Sequence, residues 1–342
     1  MSNVGIFSAK GGVGKTTLTA NLGASLVSEF NKSVCLVDGN VSAANLGLHF
    51  GLYYSPVTLY DVLNSRIPIN TAVYIHPSGV RILPSPISAH KVGASVRNLR
   101  RHMDRLVGYD HIIMDSSPSL STQTLECLNA VDQALIVTTP DAPAVTDASK
   151  MAVHAERSGL EFLGLVVNRV RNRNYELTMD EIESISGLDI AGIIPENENV
   201  QRCISEGTPE VLKNPYSDFS IEVNMLAAEI FRIRYSPPST LDKIKFWLGL
   251  KDRYSMADRA RDNSEPMFQK NQRSLSPRDD YRLAAKRASK TPRAWKTKFD
   301  KDEYTGEVPK EVEDKLKKEI MGMLRDSIRE KIKESVKSGS KK

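Results

Sequence analysis

Eight residues, Lys10-Gly11-Gly12-Val13-Gly14-Lys15-Thr16-Thr17, hold the densest chemistry in the chain. Glycines let a backbone wrap closely around an anion, and successive N–H groups then point inward at it. Lys15 is placed to reach the β- and γ-phosphates of a nucleotide, and the Thr16 hydroxyl is a ligand for Mg²⁺. The strict phosphate-loop pattern, G-x-x-x-x-G-K-[ST], fails at its first glycine, where this chain has Ala9. An ordinary glycine turn with two solvated lysines is the plainer reading. Context decides against it: the apolar run Val4–Phe7 reads as a strand before the loop, and Leu18–Val27 has helical spacing after it. The helix start adds the positive end of its dipole to the loop.

A second candidate is Asp115, which ends the apolar run Ile112–Met114. A carboxylate at the end of a strand holds Mg²⁺ directly or through water, or else merely caps the next turn. Paired with the loop, Asp115 is read as a metal residue.

These groups need a scaffold. Val34–Val37, Val80–Leu83, Ile112–Met114, Ala134–Val137, Leu163–Val167 and Ile190–Ile194 are short, nearly continuous apolar runs. Parallel strands covered on both faces look like this. Helical patterns fall between them at Val96–Leu106, Thr122–Asn129, Val145–Arg157 and Met179–Ile185. The alternation predicts an α/β fold with a doubly wound, mostly parallel sheet. Ligands of such sheets sit at the carboxyl ends of the strands.

The loop form K-G-G-x-G-K-T-T resembles the deviant Walker A loop of the MinD/ParA ATPases, and the chain resembles the MinD-like, septum-site-determining type of that group. Asp38-Gly39-Asn40-Val41-Ser42-Ala43-Ala44-Asn45-Leu46 is similar to the family's switch I, D-x-D followed by a spacer and N-L. Its second aspartate, which helps hold the attacking water, is Asn40 here. Asp115-Ser116-Ser117-Pro118 resembles switch II, and Val166-Val167-Asn168-Arg169 resembles the segment whose Asn reads the adenine edge. A turn asparagine is the alternative for Asn168. Gly192–Glu198 resembles the stretch packed around the base, and Gly207-Thr208-Pro209 continues the match.

The resemblance implies ATP and Mg²⁺ as cofactors. It implies Lys10, Lys15, Asp38 and Asn40 in catalysis, with Lys10 reaching the nucleotide of a partner subunit in an ATP-dependent homodimer. Nucleotide contacts fall to Gly11, Gly12, Val13, Gly14, Lys15, Thr16, Thr17, Asn168, Arg169, Pro195 and Glu196, and metal contacts to Thr16 and Asp115. A neutral amide at 40 takes no proton, so slow turnover is expected.

The 342 residues divide unevenly in charge. Residues 1–236 hold 19 Lys+Arg against 24 Asp+Glu, whereas 237–342 hold 28 against 18. The acidic part is long enough for one large core and is assigned to the ATPase domain. Residues 237–254 contain Leu241–Lys251, where Leu241, Ile244, Trp247 and Leu248 share a helical face flanked by lysines. Such a helix suits an anionic membrane surface or docks on the ATPase domain, and amphipathicity leaves both open. Residues 255–308 read as a disordered basic linker able to track nucleic acid or lipid, with a plain solvated linker the commoner case. Residues 309–342 open on a helical pattern to about Lys337, a candidate protein-binding helix. Three cysteines without close pairing disfavour a disulfide framework or iron–sulfur role and fit a reducing compartment. No signal peptide or spanning segment is read. The location expected is cytoplasmic, peripheral on the inner face of the cell membrane.

The function expected is a MinD-like ATP switch for spatial positioning at a division site or related cargo. The competitors are a ParA-like partitioning ATPase holding DNA through the basic tail, and an ATP-binding scaffold with little turnover.

Overall fold

The computed structural model describes residues 2–64, 67–87 and 98–239. Elements follow in the order β1 (Ser2–Phe7), α1 (Lys15–Ser28), β2 (Val34–Asp38), α2 (Leu59–Asn64), β3 (Tyr74–Ile75), β4 (Arg81–Leu83), α3 (Leu99–Met103) and β5 (His111–Asp115). Then come α4 (Thr122–Ala130), β6 (Gln133–Thr138), α5 (Ala142–Arg157), β7 (Glu161–Val170), α6 (Met179–Ser186), β8 (Ile190–Pro195), α7 (Asn199–Ser205), α8 (Glu210–Lys213) and α9 (Asp218–Ile230). Among the described residues the strands form one sheet in the order β3-β4-β2-β5-β1-β6-β7-β8. Every pairing is parallel except β3 with β4. The doubly wound, mostly parallel α/β sheet is therefore as expected.

Alternate strand residues serve opposite faces, as the period of two requires. Phe7, Cys35, Val37, Ile112 and Met114 enter one core, with Val145, Ala148 and Met151 of α5. Val4, Ile6, Leu36 and Ile113 enter the other, with Leu18, Leu22 and Leu26 of α1 and Val223 and Leu226 of α9. Both faces are covered, so the strands read as unbroken apolar runs.

Local signals set several ends. Ser121 caps α4 by accepting from the Thr124 N–H, and Thr178 with Glu181 forms a capping box on α6. The helix expected over Val96–Leu106 is shorter, Leu99–Met103, and residues 96–97 lie outside those described. Sequence reading passed over α9, whose buried face mixes Ser220 and Asn224 with apolar residues and so blurs the stripe.

Leu241–Lys251, the linker 255–308, the helical pattern at 309–337 and the boundaries assigned at 254/255 and 308/309 lie outside the described residues. Among the described residues no helix is long and apolar enough to cross a membrane.

Candidate nucleotide-binding site

The strands β2, β5 and β1 are neighbours, so the phosphate loop, Asp38 and Asp115 emerge side by side; Asp38 and Asp115 are register partners. Gly12 and Gly14 take φ of +82° and +90°. Gly14 is the N-cap of α1 with no side-chain cap, and a Cβ there would collide with the Asn168 amide nitrogen. Glycine is required on both counts. The first N–H groups of α1 thus face an anion position without a competing side-chain acceptor.

Asp115 is the hub. Lys15 Nζ donates to its Oδ1 at 3.0 Å and also to the Ser116 carbonyl, while Thr16 Oγ1 donates to its Oδ2 at 2.6 Å. A hydroxyl and a carboxylate oxygen side by side are hard donors of the kind Mg²⁺ takes, so the residues fit that ion. Asp38 accepts from the N–H groups of Asn40 at 3.1 Å and Leu46 at 3.2 Å. Burial, then the neighbouring Asp115, pushes its carboxyl up to about 8. A cation bound beside Asp115 would favour the ionised form of the neighbouring Asp38.

Asn40 is committed to its own turn. Its NH₂ donates to the Ala43 carbonyl at 2.9 Å, and its oxygen accepts from the Ala43 N–H at 3.2 Å. The same oxygen lies 3.1 Å from Ser117 Oγ, which lies 2.9 Å from Gln123 Oε1. Gln123 Nε2 in turn donates to Ser42 Oγ at 2.8 Å. The two segments that follow β2 and β5 are therefore hydrogen-bonded to each other.

Lys10 stands apart from this cluster. Its Nζ donates to Asp141 Oδ1 at 3.3 Å, with both side chains about half exposed. Asp141 also caps α5, accepting from the Ala144 N–H at 3.1 Å. Burial pushes its carboxyl up, but the bonds from Thr139, Ala144 and Lys10 outweigh that and leave it below its ordinary value.

Asn168, Arg169, Pro195 and Glu196 gather at the carboxyl ends of β7 and β8. Asn168 Nδ2 donates to the Val13 carbonyl at 2.7 Å, which ties β7 to the phosphate loop. Arg169 adopts φ +61°, and its Nε stands 3.8 Å from Glu196 Oε2, as does Arg171 Nη2. The Glu196 N–H donates to Val170 O at 3.0 Å. Glu196 Oε2 is itself buried without a hydrogen-bond donor.

The roles of three neighbours escaped sequence reading. Ser117 lay within the switch II resemblance with no part assigned to it, and Gln123 carries no motif signal. His49 bridges Thr17 Oγ1, 3.2 Å from Nε2, and the Asn45 carbonyl, 3.1 Å from Nδ1. Its position nine residues after Asn40, inside an apolar segment, was the signal available.

A glycine loop between β1 and α1, a lysine on a strand-ending aspartate, and a parallel sheet of this order define a P-loop nucleotide-binding protein. Residues 4–211 match the model of the CobQ/CobB/MinD/ParA nucleotide-binding domain. The chain belongs to that family, in which the MinD and ParA proteins are nucleotide-binding ATPases. An uncharacterized ATP-binding protein of Methanocaldococcus jannaschii is 33% identical over 236 residues, covering 68% of this chain and 88% of its own. The septum site-determining protein MinD of Thermotoga maritima is 32% identical over 235 residues, covering 66% and 86%. The structure of MinD from Pyrococcus horikoshii, complexed with Mg-ADP, superposes with a TM-score of 0.64 at 31% identity, covering 67% of this chain and 95% of that one.

Proposed function

We propose that the protein is a MinD-like ATP switch that binds Mg-ATP, dimerises around it, and is reset by hydrolysis. The observation that carries this is the convergence of Lys15 and Thr16 on the Asp115 carboxylate beside the glycine cradle of the loop. The loop backbone and Lys15 hold the phosphates, and Asn168, Arg169, Pro195 and Glu196 border the base. When bound through Thr16 and Asp115, Mg²⁺ neutralises charge developing on the phosphates. Lys10, exposed at the rim and held only by Asp141, is free to reach a partner's phosphate.

The dimer doubles any weak surface-binding helix, so Leu241–Lys251 would hold an anionic membrane only in the ATP state. The net charge of residues 237–342 favours a second reading, DNA binding as in partition ATPases. Light scattering with ATP and with ADP tests the dimer. Flotation on anionic liposomes against nonspecific DNA binding, each with ATP and with ADP, tests the surface. An ATP-dependent dimer that floats supports the reading; a monomer in ATP overturns it; DNA binding without flotation gives the second reading.

A further inference from the structure

The hydrogen bonds around Ser117 contain more acceptors than protons. Ser117 has one hydroxyl hydrogen. Two amide oxygens stand within reach of it, Asn40 Oδ1 at 3.1 Å and Gln123 Oε1 at 2.9 Å. Asn40 Oδ1 already accepts from the Ala43 N–H, and Asn40 Nδ2 is spent on the Ala43 carbonyl. Ser42 Oγ touches both ends of the Gln123 amide, 2.8 Å from Nε2 and 3.1 Å from Oε1, and Gln123 Oε1 is the nearer of the two acceptors for Ser117. The Ser117 proton is therefore best placed on Gln123, and the Ser117 oxygen keeps lone pairs with no donor from the protein.

That oxygen is buried and sits two residues after Asp115, whose carboxylate meets Lys15 and Thr16. Its neighbour Pro118 lies against the phosphate loop, where a Cβ built on Gly11 would stand 3.9 Å from the Pro118 Cβ. A water on the γ-phosphate side of the loop has to give a hydrogen bond to some acceptor here. Asn40 Oδ1 already takes the Ala43 N–H and its amide is tied into that turn, whereas among the described residues no protein group donates to Ser117 Oγ.

We propose that Ser117 Oγ is the acceptor that orients the attacking water, and that Gln123 is a positioning residue that turns the Ser117 hydroxyl so that its lone pairs face that water. The inference rests on the ATPase reading above. In the step, the water oxygen forms a bond to the γ-phosphorus, and the bridging P–O bond breaks with its electron pair left on ADP. One water proton passes to the phosphate released, and Ser117 keeps its own. The contribution is one of positioning, which phosphoryl transfer depends on heavily.

The test compares the native protein with Gln123→Leu, Gln123→Glu and Ser117→Ala. Three quantities are measured on each: affinity for a fluorescent non-hydrolysable ATP analogue with Mg²⁺, single-turnover hydrolysis of ATP, and the melting temperature without nucleotide. Gln123→Leu and Ser117→Ala should bind the analogue like the native protein and melt with it, yet hydrolyse about tenfold more slowly, the worth of one hydrogen bond made in the transition state. Gln123→Glu keeps an acceptor for the Ser117 proton and should recover most of the rate. Unchanged hydrolysis in Gln123→Leu or in Ser117→Ala overturns the proposal and leaves the ATPase reading standing. A loss of rate matched by a loss of affinity or melting temperature, without rescue by Gln123→Glu, makes the contact structural and overturns it too. A native protein that fails to bind the analogue removes the ATPase reading itself.

Discussion

Lys15 and Asp115 stand 100 positions apart in the chain and meet at 3.0 Å with both side chains out of solvent. Their pairing joins the phosphate loop to the end of β5. Removing one member of a buried pair leaves an uncompensated charge, at a cost of roughly 3–5 kcal/mol. Lys15→Ala should therefore lower the melting temperature and abolish nucleotide binding. Asp115→Ala should weaken Mg²⁺-dependent affinity more than affinity for the bare nucleotide. Titration with a fluorescent ATP analogue, with and without Mg²⁺, reads both effects. Tight binding by Lys15→Ala would refute the loop assignment.

Lys10 and Asp141 form the opposite kind of pair, half exposed on both sides. Such a pair contributes about 0–1 kcal/mol and is readily exchanged for a phosphate. Lys10→Ala should keep ATP binding and the stability of the monomer but lose the ATP-dependent dimer. Light scattering decides it, and an unchanged dimer in ATP would sink the cross-subunit role.

Asn40→Asp sets two effects against each other. The aspartate loses the bond to the Ala43 carbonyl and places a carboxylate oxygen against it. Stability should fall by about 1–2 kcal/mol. A carboxylate turned from that carbonyl gives the attacking water a charged acceptor, and single-turnover hydrolysis should rise by about tenfold. Equal rates for the two proteins under one Mg²⁺ and salt condition would mean that residue 40 does not limit hydrolysis.

His49 gives a pH signature. Burial lowers its pKa from 6.5, with partial opposition from the Asn45 carbonyl and Asp115. The unfolded chain then binds the proton more readily than the native protein. The stability contributed by the neutral ring is present above pH 6.5 and is lost as pH falls through the lowered value. His49→Gln has nothing to titrate at that site. The gap in melting temperature between native protein and variant should shrink between about pH 6.5 and pH 5. A gap that stays constant over that range would show that the ring does not stay neutral in the fold.

Gly14→Ala should fail for two separable reasons, the left-handed φ and the collision with Asn168. Removing the obstacle in the double variant with Asn168→Ala should recover part of the lost stability, while the strain of about 1 kcal/mol or more at positive φ persists. Chemical denaturation of the two variants measures the difference. No recovery would place the whole cost in the backbone.

The sequence alone was enough for the phosphate loop, because its function lies in consecutive residues. Glycine φ freedom, a lysine and a hydroxyl at fixed spacing are local properties, and the flanking periodicities are local too. The strand-ending aspartate and the α/β alternation were legible for the same reason: strands buried on both faces write themselves as apolar runs. Which carboxylate Lys15 and Thr16 would meet was not local. It follows from the sheet order, which sets β5 between β1 and β2 and makes register partners of Asp38 and Asp115. The state of Asn40 was likewise decided in three dimensions. Its type announced a lost charge, but only the fold brought Ser117, from the segment after β5, against its oxygen, with Gln123 behind it. Hydrogen bonds between residues far apart in the chain leave no period or spacing behind, since each partner needs only the right type at one point in space. Asn168 shows both sides of this. Its place after an apolar strand was readable, whereas its bond to the Val13 carbonyl, 155 positions away, came from the packing of β7 beside the loop.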